Sequence, residues 1–192
     1  MPLPTQGRGR LVNVAIELFY RYGINPVGLD RILTEAGVSK TTFYKHFDSK
    51  DSLVVAALQT RDQWETDAWA RAVEKRAGRD PHKALLVLWD VLDEWFNAPD
   101  YGGCQFINAA AEFPNPHDPI HKVAAEHKRR TRDWFADLAR QAGADDPDRF
   151  ADTYTMLFEG SLILRQVHGR DDAARLARPV IEKLIADHIP EP

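Results

Sequence analysis

Ile32-Leu33-Thr34-Glu35-Ala36-Gly37-Val38-Ser39-Lys40-Thr41-Thr42-Phe43-Tyr44-Lys45-His46-Phe47 is the stretch that decides how this chain folds. With Leu29, the residues Ile32, Leu33 and Ala36 share one face of a short helix read over 29–36. Ala36 is small enough to let another helix come close. Gly37 supplies the positive φ of a tight turn, and Val38 plugs the angle behind it. Ser39 stands where its oxygen can accept a backbone N–H and cap the next helix, read over 40–46. Phe43 and Phe47, one turn apart, anchor that helix on a core. Lys40, Thr41, Thr42, Tyr44, Lys45 and His46 are left facing outward; all can donate hydrogen bonds, and the two lysines are cationic. This is the grammar of a helix-turn-helix. Its second helix offers its first residues to base edges and its flanks to phosphates. A helical hairpin that merely packs explains Phe43 and Phe47 equally well, but it has no need of the exposed cationic and hydroxyl set.

On the N-terminal side, Leu11, Val14, Ala15, Leu18, Phe19 and Tyr22 form one apolar face of a helix over 9–22, ended by Gly23. On the C-terminal side, a long helix starts at Lys50 and runs towards Gly78. A lysine in that first turn opposes the helix dipole. A phosphate at the same helix end would account for it, and so would simple charge balance with Asp48 and Asp51. The charge distribution agrees with a nucleic-acid partner. Residues 1–50 carry seven Lys/Arg and four Asp/Glu, a net of +3, whereas the rest of the −4 chain nets −7.

At these residues the sequence resembles the tetracycline-repressor (TetR) family of regulators. The resemblance lies in Ala15-Ile16-Glu17-Leu18-Phe19 with Tyr22-Gly23, in Ile32 through Phe47, and in Ser49-Lys50-Asp51-Ser52-Leu53. It implies a dimer with two N-terminal heads in successive major grooves of a palindromic operator, held together by the last two helices of each chain. It also implies that Thr41 and Thr42 meet bases or phosphates, and that Tyr44 and Lys50 hold phosphates. The sequence departs from the family at Gly28, where the family usually has a Thr or Ser that caps the second helix and touches phosphate. Gly28 retains only a backbone N–H for that contact. The expected DNA-binding set is therefore Gly28, Ser39, Lys40, Thr41, Thr42, Tyr44, Lys45, His46 and Lys50.

The rest of the chain reads as helix throughout, with no sustained alternation and no hairpin signal. Asp80-Pro81, Asp118-Pro119 and Asp146-Pro147 each pair a good N-cap with a residue favoured at the first helical position. They open helices over 81–97, 119–142 and 147–168. A short helix over 103–112 and a last one over 172–188, bent or restarted at Pro179, complete an expected all-α fold of about nine helices. The expected division is a head, residues 1–50, and a ligand-binding and dimerisation domain, residues 51–192. Gly103 through Phe113 is similar to a C-terminal type found in the same family.

Aromatic residues are plentiful: five Trp, nine Phe and five Tyr. Trp64, Trp89, Phe96, Phe106, Trp134 and Phe158 are candidates to line an effector cavity, or are ordinary core. Asn108, an amide on an otherwise apolar helix, orients a ligand or caps a carbonyl. Such a lining suits a small apolar or aromatic molecule. On the last two helices Tyr154, Leu157, Ser161, Leu162, Arg165, Val180, Ile181 and Leu184 are the expected dimer interface.

Other chemistries find less support. The chain contains no phosphate loop and no nucleophile elbow, and the His117, His121 and His127 spacing lacks the paired cysteines of a zinc site. Neither a metal nor a cofactor is expected. Cys104 reads as a small buried hydrophobe more readily than as a thiol sensor. A carboxylate–histidine enzyme built from Glu112, Glu126, Glu159 and His168, and a DNA-independent helical adaptor, are the rival readings. The N-terminus carries no signal-peptide stretch, and no run has the ~18 apolar residues of a membrane span. A cytoplasmic location is expected.

Overall fold

The computed structural model describes residues 7–190, and among these the chain forms nine helices and no strand. They are α1 (Gly7–Tyr22), α2 (Leu29–Ala36), α3 (Lys40–Tyr44), α4 (Lys50–Ala77), α5 (Pro81–Phe96), α6 (Gln105–Glu112), α7 (Pro119–Gln141), α8 (Pro147–His168) and α9 (Ala173–His188). Each Asp-Pro start behaves as expected. Asp80 accepts from the Lys83 N–H at 3.0 Å, Asp118 from Ile120 at 2.7 Å, and Asp146 from Arg149 at 3.1 Å. Asp80 and Asp146 stand at the N-cap, with proline in the first turn of the helix that follows.

Some boundaries differ from expectation. α1 is already helical at Gly7, two residues before the expected start. α3 ends at Tyr44, because Lys45 is already its C-cap. α6 begins at Gln105, after Gly103 at φ +85°, which no helix can hold. α9 does not restart at Pro179 but continues through it; the missing N–H removes one helical hydrogen bond from an exposed turn.

By compactness the chain divides into two units. The first holds the described residues up to Trp64 together with Cys104–His127. Its core comprises Leu11, Ala15, Leu18 and Phe19 of α1, Ile32 and Leu33 of α2, Phe43 and Phe47, and Leu53, Val54 and Leu58 of α4. Helix α6 adds Phe106 and Ala109 to that unit's buried residues, and α7 adds Ile120 and Ala124. His127 Nδ1 lies 2.7 Å from Asp62 Oδ1, and both side chains are almost wholly buried. The His127 ring stacks on Phe106 at 3.6 Å between centroids.

The second unit holds Glu65–Gly103 and the described residues from Lys128 onwards. α9 packs on α5 and α8. An aromatic cluster fills this unit: Trp89 meets Tyr154 edge-on at 5.7 Å, Phe135 meets Tyr154 at 4.7 Å, and Phe158 meets Trp69 at 5.9 Å. The Tyr154 hydroxyl donates to the Leu85 carbonyl at 2.6 Å, and burial pushes its pKa well above the usual phenol range. Arg165 Nε donates to the Phe96 carbonyl at 2.8 Å, and its guanidinium lies over Tyr101. Arg175 pairs with Asp93 at 2.7 Å and Arg178 pairs with Asp90, tying α9 to α5 at the surface.

Candidate nucleic-acid interface

The geometry of the head follows residue by residue from its sequence. Gly28 is the N-cap of α2 in extended conformation, without a side-chain cap, and a Cβ built there would meet nothing within 4 Å. Space is therefore not what keeps a side chain away from this position. Gly37 holds φ +59°, and the Val38 N–H returns to the Leu33 carbonyl at 3.0 Å, which closes the turn between α2 and α3. Val38 is buried under that turn. The Ser39 hydroxyl accepts from the Thr42 N–H at 3.1 Å and lies 2.9 Å from the Thr42 hydroxyl. Ser39 thus caps α3 and fixes the rotamer of Thr42.

Phe43 and Phe47 are buried, with ring centroids 5.7 Å apart. The helix is pinned by these two rings, so its other faces are forced outward. Lys40, Thr41, Tyr44, Lys45 and His46 are exposed, and Thr42 is half-buried. Tyr44 is 52% exposed, although its ring packs edge-on against Phe43 at 5.1 Å. A large aromatic held in that way presents its hydroxyl on a rigid stem. The outward residues form one surface of cations and hydroxyls on a helix whose orientation the core dictates, which is what reading a groove and gripping its phosphates demands.

Lys50 has an internal task that the sequence did not disclose. Its Nζ donates to the Ile24 carbonyl at 2.6 Å, in the loop between α1 and α2. Burial lowers its pKa, against the opposing pull of Asp51 and Glu112. Glu112, at the end of α6, accepts from the Ile24 N–H at 2.8 and 3.1 Å and from the Asn25 N–H at 2.6 Å. Both polar groups of the Ile24 backbone are therefore held, one by a cation and one by an anion. Neither phosphate binding nor balance with Asp48 and Asp51 is needed to explain a lysine at this helix start.

The sequence-derived effector candidates fall into separate places. Trp64, Phe106 and Asn108 belong to the first unit, where Phe106 is committed to the His127 stack. Trp89, Phe96, Trp134 and Phe158 belong to the second. There Trp89 and Phe158 meet at 6.2 Å, while Phe96 packs with Trp95 and Tyr101. Trp134 lines a different feature, an open groove of about 230 Å³ with Val73, Arg79, Pro81 and Leu138. Sequence reasoning missed Trp69, Phe135 and Tyr154 as members of the aromatic cluster. Tyr154 was instead assigned to the dimer face.

The interface assignment on α8 and α9 needs correction. Tyr154, Ser161, Leu162 and Ile181 are closed off inside their own chain. Leu157, Arg165 and Leu184 are half-buried, and Val180 alone of the assigned set is exposed. The apolar residues that face outward are Met156, Ile163 and Val167 on α8 and Leu176 and Val180 on α9. Both helices are apolar on two faces, and periodicity alone cannot say which face turns inward.

Two carboxylates of the rival reading have partners of their own. Glu112 holds the Ile24 loop, and Glu159 pairs with Lys128 at 2.8 Å. His168 stands exposed at the end of α8, and His121 Nδ1 lies 2.7 Å from the Phe113 carbonyl. Cys104 is a buried thiol. No helix among the described residues is long and apolar enough to cross a membrane.

Comparison with known proteins agrees with this geometry. Residues 11–57 match the family described as bacterial regulatory proteins, tetR family, and residues 81–181 match the tetracyclin repressor-like C-terminal domain. The HTH-type transcriptional regulator YjdC of Escherichia coli is 25% identical over 178 residues, covering 91% of this chain and 93% of its own. Among solved structures, a TetR transcriptional regulator of Streptomyces avermitilis is 29% identical with a TM-score of 0.81, covering 96% of this chain and all of its own. A TetR-family regulator of Streptomyces coelicolor is 28% identical with a TM-score of 0.82, over 94% of this chain and 95% of its own. The chain belongs to the TetR family of helix-turn-helix transcriptional regulators.

Proposed function

We propose that the protein is a repressor that occupies a palindromic operator as a homodimer and leaves it when a small apolar or aromatic effector binds. The observation that carries the reading is the face of α3. Lys40, Thr41, Tyr44, Lys45 and His46 point outward while Phe43 and Phe47 fix the helix from behind. Thr41 and Thr42 are assigned to bases or phosphates, Lys40, Tyr44 and Lys45 to phosphates, and Ser39 and Gly28 to their helix N-termini beside the backbone. Lys50 contributes to phosphate binding only with what its bond to Ile24 leaves over.

The dimer is assigned to the outward apolar face of α8 and α9. Met156 is 68% exposed and Val167 69% exposed, and such side chains on two adjacent helices make a sticky patch that a second copy would cover. Two-fold symmetry would then match a two-fold operator. The groove lined by Trp134, Val73, Pro81 and Leu138 offers apolar walls that suit such an effector. Such a molecule relieves repression by preferring the conformer that binds DNA poorly, and each 1.4 kcal/mol of preference changes the balance about tenfold. The 1–50 head and 51–192 effector domain remain the functional division proposed.

The test is selection of duplexes from random DNA with the full chain, followed by anisotropy titration of the winning sequence. Tyr44→Phe with Lys45→Gln, which keeps the ring on Phe43, is expected to weaken binding at least tenfold while leaving the melting temperature unchanged. Failure to enrich any sequence, or indifference of affinity to that double variant, would refute the assignment of α3 as the reading helix.

A further inference from the structure

The start of α1 lies beside Thr42 of the recognition helix and His46 just after it. A Cβ on Gly7 would stand 3.2 Å from Thr42 Cγ2 and 3.9 Å from His46 Nε2. A side chain there would press on Thr42, which would have to give by a few tenths of an ångström. The next residue, Arg8, carries its guanidinium 5.3 Å from the centre of the Phe47 ring. Arg10 reaches the opposite end, its Nη1 standing 3.8 Å from where a Gly37 Cβ would be. One arginine therefore sits beside the residues that follow α3, and the other beside the turn that precedes it. Both are exposed.

No carboxylate meets either charge among the described residues. The first turn of α1 contains no acidic residue, and neither Arg8 nor Arg10 forms an ion pair among the described residues. Several arginines elsewhere are held by carboxylates: Arg31 by Glu35, Arg76 by Glu94, Arg132 by Asp148 and Asp152, and Arg175 by Asp93. Arg8 and Arg10 flank the surface already occupied by Lys40, Lys45 and His46. A planar guanidinium grips a phosphate through two parallel N–H bonds, which a lysine cannot match.

We infer that Arg8 and Arg10 are DNA-backbone contacts. Each grips a phosphate beside the base pairs that α3 reads, so the recognition helix is seated in its groove from both ends. The inference rests on the assignment of α3 as the DNA-reading helix.

The experiment uses the full chain and the operator duplex selected above, titrated by anisotropy across a salt series. Variants are Arg8→Gln, Arg10→Gln, the double variant, and Arg8→Lys. Wild-type affinity falls with salt, and each Gln substitution is expected to reduce the slope of log K against log salt by about 0.9. The double variant should reduce it by about 1.8. The affinity loss should be equal on the operator and on a duplex of unrelated sequence. Arg8→Lys should keep the wild-type slope, because it keeps the charge.

Slopes identical to wild type in both Gln variants would overturn the inference while leaving the reading of α3 intact. So would an Arg8→Lys variant that behaves like Arg8→Gln, since the role would then be packing on Phe47. A loss of preference at one base pair would make the arginines base readers and also overturn it. Absence of wild-type binding to any duplex would overturn the inference and the reading of α3 together, a result distinguishable from the others by the wild-type titration alone.

Discussion

Replacing Glu112 by alanine tests whether the DNA-binding head is held together from outside its own three helices. The carboxylate accepts three contacts from two N–H groups, at 2.8 and 3.1 Å from Ile24 and 2.6 Å from Asn25. Ile24 is 2% exposed, so its N–H gains little from water once the carboxylate has gone. Asn25 is exposed and recovers most of its loss. A hydrogen bond to a charged acceptor contributes about 1.5–3 kcal/mol, and leaving a buried donor unpaired costs about 1–3 kcal/mol. One well-buried donor and one solvated donor together give about 2–4 kcal/mol of destabilisation. For a chain of this length that lowers the melting temperature by about 4–16 °C. Glu112→Gln keeps one carbonyl oxygen, serves the Ile24 N–H, and should lose roughly half as much. The assay is thermal unfolding followed by circular dichroism, paired with urea titration. Lys50→Ala removes the donor to the other side of the same peptide, at 2.6 Å from the Ile24 carbonyl. In a double-mutant cycle Glu112 and Lys50 should therefore couple by at least about 0.5 kcal/mol. A Glu112→Ala variant that melts within 1 °C of wild type, or strict additivity with Lys50→Ala, would refute the reasoning.

Ser39→Ala removes the oxygen that accepts from the Thr42 N–H; it should cost about 1 kcal/mol by urea titration and also loosen the Thr42 rotamer, so operator affinity should fall with it. Tyr154→Phe is conservative in shape but leaves the Leu85 carbonyl without its 2.6 Å donor in a fully buried site; urea titration should show a loss of about 1–3 kcal/mol. Ile163→Glu with Val180→Glu places charges on the outward apolar face, and light scattering should then report a monomer that keeps its helical circular dichroism. Ile181→Ala, wholly buried in its own chain, should instead lose about 2–5 kcal/mol of stability.

The helix-turn-helix was legible because its signals are local. A glycine at the turn, a serine at the cap and two phenylalanines a turn apart act within a few residues of each other, and Gly37, Ser39, Phe43 and Phe47 do in the structure what their spacing requires. The Asp-Pro starts of α5, α7 and α8 were legible for the same reason, since a cap and its first turn are contiguous in sequence. Which faces the C-terminal helices bury could not be read, because α8 and α9 are apolar on two sides and the choice depends on what lies opposite. Tyr154 faces inward because Leu85 offers a carbonyl and Phe135 and Phe150 offer rings.

The sequence by itself therefore determined the all-helical fold, the helix starts to within two residues, and the outward turn of Lys40, Thr41, Tyr44, Lys45 and His46, though not the half-burial of Thr42. Periodicity and capping are properties of neighbouring residues, and these carry that information. The tertiary structure alone decided the task of Lys50, the capture of the Ile24 loop by Glu112 from 88 residues away, and the nearness of Arg8 and Arg10 to the two ends of α3. Each of these depends on segments brought together by core burial, and hydrophobic contact is non-directional: it leaves no local mark in the sequence to say which distant polar groups will meet.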